Sequence, residues 1–438
     1  MTSPAGERLR VVAIADSDSY VKWAGTLIDS VPGIDAQLVF VRTPLTVSAA
    51  QEQAALAGTA LADPVRIAFT DLVEWLTRAR ADVVVIAGRG PFVRLIMTAI
   101  DQLATRPVVV TGLPGISIPA QRAAVMYRRQ ADLMVVHSQR EQRAFTALAA
   151  ALGVDLEFGL ATLPFARNRG AQLEGGTDLV FAAQAIVPRG QAKRQVMADI
   201  LCDIARAQPD RRVVVKLRSR RDQGEQETHL ERAYYTDLLE GAPSNVVFSY
   251  EPMQEALATA EGLLTVSSTA AVEAMAMGVP VIALDTFGIK KANLNTVFVG
   301  SGVLGNVEDA VARRFRHPAP EWLAQNYFHD ESVATWWARV EELVQLRRAG
   351  RLPVRPAPRP WGGALHGAWH RKTVLGDEDR SLSGAIALAV GRPVRKAVLT
   401  SRRFRKRGGV HTWDDDTSDL TVTPAPYQDP IRSSSAID

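Results

Sequence analysis

The 438-residue chain has one cysteine, Cys202, set in the apolar helical pattern "VMADILCDIARA". One cysteine excludes an intrachain disulfide and a cysteine-based zinc cluster, and it points to a reducing compartment. No apolar run approaches the roughly 20 residues that cross a bilayer. The opening "MTSPAGERLRVVAIAD" has too short an apolar run for a secretory signal, with no cleavage pattern after it. The expected setting is cytoplasmic. An excess of basic charge is also missing from the body, where residues 1–350 carry 36 Lys+Arg against 38 Asp+Glu. The positive balance comes from residues 351–438, with 15 basic and 9 acidic residues. A near-neutral body argues against nucleic acid as the partner.

What is present is an ordinary soluble composition, 47% hydrophobic and 22% charged, over a length that suits two domains. From Leu9 onward, the short apolar runs "RVVAIA", "AQLVFV", "DVVVIAG", "PVVVTG" and "DLMVVHS" read as strands. Their unbroken apolarity suits parallel strands covered on both faces. Helices are predicted between them over about 20–30, 46–58, 69–80, 91–104, 118–130 and 139–152. Ser138 and Glu141 form a capping box at the start of the last one.

The same grammar restarts after the loop-rich "GLATLPFARNRGAQLEGGTD". Strands are predicted in "LVFAAQAI", "RRVVVKLR", "NVVFSY", "GLLTV" and "VPVIAL", and helices over about 191–207, 252–260 and 269–277. The expected architecture is therefore α/β: two Rossmann-like, doubly wound domains, 1–168 and 177–330, facing a cleft. "ESVATWWARVEELVQLRRAG" reads as one amphipathic closing helix, 331–349. Residues 350–438 are rich in Pro and Gly, basic, and expected to be a largely disordered tail. Within that tail, "SGAIALAVGRPVRKAVLTSRRFRKR" pairs an apolar run with a basic cluster. It is either a solvated extension or a segment that contacts an anionic membrane surface.

The polar residues that matter fall where predicted strands end. Ser267, Ser268 and Thr269 follow "GLLTV" and precede a helix, where hydroxyls and free backbone N–H groups suit phosphate. A plain N-cap is the alternative and needs one hydroxyl. Glu273, one turn into that helix, can accept two hydrogen bonds from a vicinal diol such as a nucleotide ribose; a partner for the helix dipole is the other reading. Alternation along "RRVVVKLR" puts Lys216 and Arg218 on one side of the strand's carboxyl end, suited to a diphosphate or an acidic sugar. Downstream, His229 lies one helical turn from Glu225 and is a weaker candidate.

This arrangement resembles the nucleotide-sugar glycosyltransferases of the GT-B fold. "VEAMAMGVPVI" is similar to the donor-binding Glu-plus-Gly-x-Pro segment of the N-acetylglucosaminyltransferase that makes the lipid-linked peptidoglycan precursor. The resemblance gives Glu273 the donor ribose. The Ser-Ser-Thr run also resembles the serine motif of bacterial sialyl- and polysialyltransferases and of capsule polymer transferases, which gives Ser267 and Ser268 the donor phosphate. Their His-Pro motif is absent, and Lys216-Leu217-Arg218 stands in its place.

The resemblance implies a metal-independent transferase that moves a sugar from a nucleotide-sugar donor to a cell-envelope or surface-polysaccharide acceptor. No cofactor is expected, because the nucleotide sugar is a substrate. An inverting enzyme of this kind needs a base for the acceptor hydroxyl. Candidates lie in "ADSDSYVKW": Asp18 as base, with plain loop capping as its other reading, and Asp16 on the acceptor side. Arg89, Gly112, Gly88, Gly90 and Gly115 also end strands and could admit an acceptor. His137 reads as a buried, satisfied histidine. Two alternatives stand beside the transferase: a nucleotide-sugar 2-epimerase on the same fold, and a GT-B-like protein that binds without catalysis.

Overall fold

The computed structural model describes residues 8–393 except 46–48, 62–63, 164–165, 167–174, 185–186, 218–233, 356, 358–362 and 392. The first domain is built on β1 (Arg10–Ala15), β2 (Asp35–Val41), β3 (Val65–Ile67), β4 (Val83–Ala87), β5 (Val108–Gly112), β6 (Leu133–Val136) and β7 (Glu157–Leu160). All pair in parallel, in the order β3-β2-β1-β4-β5-β6-β7. The central strands β4 and β5 are buried along their whole length, as their uninterrupted Val/Ile runs require. Between the strands run α1 (Asp18–Asp29), α2 (Ala49–Leu56), α3 (Leu72–Ala79), α4 (Gly90–Ile100), α5 (Arg122–Arg128) and α6 (Gln139–Ala151).

The second domain holds β8 (Asp178–Ala182), β9 (Val213–Lys216), β10 (Val246–Ser249), β11 (Ala260–Thr265), β12 (Val281–Leu284) and β13 (Leu304–Gly305). Their order is β10-β9-β8-β11-β12-β13. Its helices are α7 (Gln191–Ala207), α8 (Tyr235–Leu238), α9 (Met253–Ala258), α10 (Ala270–Ala276), α11 (Val307–Val311) and α12 (Pro320–Gln325). Gly278 ends α10 by taking φ +79°, which lets Val279 N–H bond back to Ala274 O at 2.8 Å. A side chain is disfavoured in that left-handed region, so the "MGVP" sequence stops the helix at its glycine.

The chain then returns to the first domain. Helix α13 (Trp336–Arg348) buries Trp336, Val340, Leu343 and Val344 in the same cluster as Val11, Val83 and Val108. On the way Tyr327 is fully buried, and its hydroxyl donates to Glu141 Oε1 at 2.8 Å. The predicted capping box is realised in altered form. Ser138 Oγ accepts Glu141 N–H at 3.0 Å, while the Glu141 carboxylate takes the N–H groups of His137 and Ser117, both at 2.8 Å. Burial pushes the Glu141 pKa up, against these donors. From the same helix Arg140 donates to the carbonyls of Val297 (2.9 Å) and Thr296 (3.3 Å), a second tie between the domains.

The two-domain α/β architecture agrees with the sequence reading, and the differences are local. Strands β3 and β7 were not read from the sequence; the latter includes Gly159 and Leu160, which were assigned to a loop. Both are short, and β7 gains its conformation from pairing with β6 rather than from its own pattern. The closing segment is not one helix: Glu331–Val333 is a separate 3-10 turn, held by Asp330 Oδ1 on Ser332 N–H at 2.8 Å. Inside the region expected to be a tail, α14 (Gly363–Leu375) packs on α4 and buries Ala368 and Leu375. Residues 382–391 are helical as well.

Candidate functional site

In each sheet the strand order reverses once, and a crevice opens at the carboxyl ends of the two strands that flank the reversal. In the first domain these strands are β1 and β4. Asp16 and Ser17 follow β1; Gly88 and Arg89 follow β4. Asp16 is 3% exposed. Its Oδ1 accepts from Ser17 Oγ at 3.0 Å, and its Oδ2 lies 3.8 Å from Arg89 Nε. Burial raises its pKa to about 6, with Arg89 acting in the opposite direction. Arg128 is fully buried behind it, donating to Gly88 O at 2.9 Å and hydrogen-bonding Tyr20. The result is a carboxylate held in a low-dielectric pocket between two guanidinium groups, with one of them half open to solvent.

Asp18, the expected base, is placed differently. It is the first residue of α1, and its Oδ1 is buried without a hydrogen-bond partner. Of the two aspartates of "DSD", Asp16 is the one joined to Arg89.

In the second domain the reversal lies between β8 and β11. Gln184, after β8, uses its amide as a clamp: Oε1 accepts Ser267 N–H at 3.0 Å and Nε2 donates to Ser267 Oγ at 3.2 Å. Ser268 N–H bonds to Thr265 Oγ1 (3.0 Å), and Ser268 Oγ accepts Ala270 N–H (3.2 Å). Two of the three hydroxyl residues thus shape the turn into α10, a helix of seven residues. Thr269 faces the other domain; a Cβ added to Gly115 would come within 2.9 Å of its Oγ1.

Glu273 sits deeper. Burial holds its carboxyl above the usual carboxylate range, and nearby Lys22 and Lys216 pull it back. Lys22 belongs to α1 of the first domain, and Lys216 ends β9 of the second, buried and donating from Nζ to Leu217 O. A single carboxylate is thus flanked by one cation from each domain. Through Lys22 it is tied to the helix that Asp16 and Ser17 introduce. The structure brings together Asp16, Arg89, Lys216, Ser267, Ser268, Thr269 and Glu273 on the facing ends of the two sheets. Arg218 and His229 lie outside the described residues.

One acceptor-side candidate is corrected. Gly112 does not open space for a ligand: it is buried in β5, and a Cβ there would lie 2.3 Å from the Trp23 ring. Trp23 occupies that room because its Nε1 donates to His137 Nε2 at 2.7 Å. His137 Nδ1 lies 3.1 Å from Ala161 O, so the imidazole is buried and satisfied on both nitrogens. Gly88 and Gly90 likewise accommodate the rings of Phe92 and Tyr127.

Gln184 and Arg128 were missed. The sequence reading ran its strand through residue 186, but β8 ends at Ala182 and so leaves Gln184 at the crevice. Arg128 has no local signature at all.

A family model described as "Putative glycosyltransferase (DUF6716)" matches residues 11–343. No curated protein matches the sequence. Among solved structures, a UDP-N-acetylglucosamine 2-epimerase is similar at 14% identity and a TM-score of 0.52, covering 80% of this chain and 99% of that one. The UDP-GlcNAc 2-epimerase of Methanocaldococcus jannaschii is similar at 11% identity and a TM-score of 0.51, covering 76% and 99%. These likenesses show the fold, the GT-B arrangement of two Rossmann-like domains.

Proposed function

The chain belongs to the glycosyltransferase family DUF6716, and on that premise we propose that it moves a sugar from a nucleotide-sugar donor to a cell-envelope or surface-polysaccharide acceptor. One observation carries the proposal: two polar clusters, Asp16–Arg89 and Gln184–Ser267–Lys216–Glu273, stand on the facing ends of the two sheets. In this reading the Asp16 carboxylate takes the acceptor hydroxyl's proton. The acceptor oxygen bonds to the anomeric carbon, and the bond from that carbon to the phosphate oxygen breaks. The departing nucleotide phosphate is balanced by Lys216 and the hydroxyls of Ser267, Ser268 and Thr269, so no metal or cofactor is assigned. Glu273 holds the ribose. A carboxyl group whose pKa stands near 6 suits a base working close to neutrality, which favours Asp16 over Asp18 in this role.

The observation favouring a second reading is the likeness to 2-epimerases, one of them solved with UDP-GlcNAc and UDP at 13% identity. Incubation with a panel of nucleotide sugars separates the readings. Nucleotide release that depends on an added sugar acceptor supports the transferase. Appearance of the 2-epimer without acceptor overturns it, and saturable nucleotide binding with no turnover leaves a binding protein.

The proposal extends to placement at the inner face of a membrane. Among the described residues no helix is long and apolar enough to cross a bilayer. The helical stretch 382–391 exposes Leu382, Ile386 and Val390 at four-residue spacing, while Ala387 is turned inward. Arg392, Arg395, Lys396 and the cluster Arg402, Arg403, Arg405, Lys406 and Arg407 follow in sequence with no acidic residue among them. An apolar face followed by basic charge complements an anionic lipid surface.

A further inference from the structure

A cavity of about 610 Å³ opens on the first domain, lined by Arg94 of α4 and by Arg122, Met126, Tyr127 and Arg129 around α5. Three arginines line it, Arg94 and Arg129 half-buried and Arg122 exposed. Among the described residues none of the three has a carboxylate within ion-pair distance or donates a hydrogen bond to the protein. Other arginines that pack on this domain are paired: Arg106 bonds Asp132 at 2.7 Å, Arg347 bonds Asp82 at 3.2 Å and Arg339 bonds Glu157 at 2.6 Å. Gln130, which also lines the cavity, donates its amide to Asp101 at 3.1 Å.

We propose that this cavity is an anion site for a phosphate group, with Arg94 and Arg129 as neighbouring forked donors, Arg122 as a third lining cation, and an apolar wall of Met126 and Tyr127 for what the phosphate is attached to. Guanidinium groups match phosphate oxygens in pairs, and clustering them without counter-charge costs stability unless an anion is bound. That cost is visible locally. Burial and repulsion from Arg94 both lower the Arg129 pKa. His370, on α14 packed against α4, is held neutral, its pKa down at about 4 through burial and then Arg94 and His366. Its Nε2 is buried without a partner.

The cavity also adjoins the cleft. The Tyr127 ring that lines it lies over Gly90, next to Arg89, so that a Cβ on Gly90 would fall 2.5 Å from the ring. Arg94 belongs to the helix that Arg89, the partner of Asp16, caps at its N-terminus. Assigning that phosphate to the acceptor rests on the transferase reading; the binding does not.

The test keeps the two apart by reading binding alone. Full-length protein, its cleft saturated with nucleoside diphosphate, is titrated with glycerol 3-phosphate and, separately, with phosphatidylcholine vesicles containing phosphatidic acid. The expected result is saturable binding of at least one probe, weakened tenfold or more by Arg94→Gln with Arg129→Gln and partly restored by Lys at both positions. Bound phosphate should also raise the His370 pKa, followed by the ring proton shifts. Binding of glycerol 3-phosphate assigns a soluble phosphate. Binding of phosphatidic acid alone, preferred over phosphatidylserine, assigns a lipid headgroup and excludes general attraction to the basic C-terminal residues. The unfolding midpoint of the Gln variant should stay level or rise, because like charges are removed. Saturation by neither probe, or equal binding by the Gln variant, overturns the site.

Discussion

Replacing Asp16 with Asn separates the energetic cost of this carboxylate from its use. Its folded-state pKa of about 6 stands above the ordinary 3.8 because burial outweighs Arg89. A raised carboxyl pKa means that the folded protein holds the proton more tightly than the unfolded chain. The associated stability is full below about pH 4 and is lost as the pH rises through 6. At roughly 1.4 kcal/mol per pKa unit, the loss by pH 7.5 is about 3 kcal/mol. Asn carries no such dependence. The stability difference between wild type and Asp16→Asn should therefore move by about 3 kcal/mol in favour of the variant between pH 4 and 7.5. Urea denaturation at several pH values reads this change, and effects of the substitution that do not vary with pH cancel. Turnover should respond in the opposite sense. The wild-type pH–rate profile is expected to have an acidic limb near pH 6, and the variant to lose about 10²- to 10⁴-fold in rate while its nucleotide affinity is kept. A stability difference flat with pH refutes the burial argument. A variant that turns over at the wild-type rate refutes the assignment of the base.

Tyr327→Phe should destabilise the protein by about 1.5–3 kcal/mol in urea, since it removes a donor from the buried Glu141 carboxylate; an unchanged midpoint would show that the clasp between return segment and first domain contributes nothing. Ser267→Ala with Ser268→Ala should weaken donor binding by about 1–3 kcal/mol by calorimetry, and unchanged affinity removes the hydroxyls from the donor site. Removing residues 394–438 should leave donor hydrolysis nearly unchanged and abolish salt-sensitive binding to phosphatidylserine vesicles, for which the basic cluster supplies on the order of 3–5 kcal/mol at low salt. If the full-length chain ignores such vesicles, the tail is a solvated extension.

The fold was legible because its signal is local and repeated. Runs such as "DVVVIAG" and "GLLTV" are apolar without alternation, and only strands covered on both faces use that pattern. What escaped was whatever tertiary pairing imposes: β7 exists through β6, and the helix over 363–375 through its packing on α4. The candidate site divides in the same way. Asp16, Ser267 and Glu273 could be singled out because a polar residue after a buried strand, or inside an Ala-rich helix, breaks a pattern that can be read along the chain. Gln184 could not, since its place depends on where β8 stops, and that is fixed by pairing with β9 and β11 rather than by composition. Arg128 faces the crevice because α5 lies against β4's end, a fact no window of sequence contains. The same holds for Arg94, Arg122 and Arg129. Each looks like a solvated surface charge where it stands in the sequence, and only the packing of α4 beside α5 turns three unremarkable arginines into one uncompensated cluster. Charge that appears balanced along a chain can be unbalanced in space, and such an imbalance persists in a folded protein at a cost that a bound anion removes.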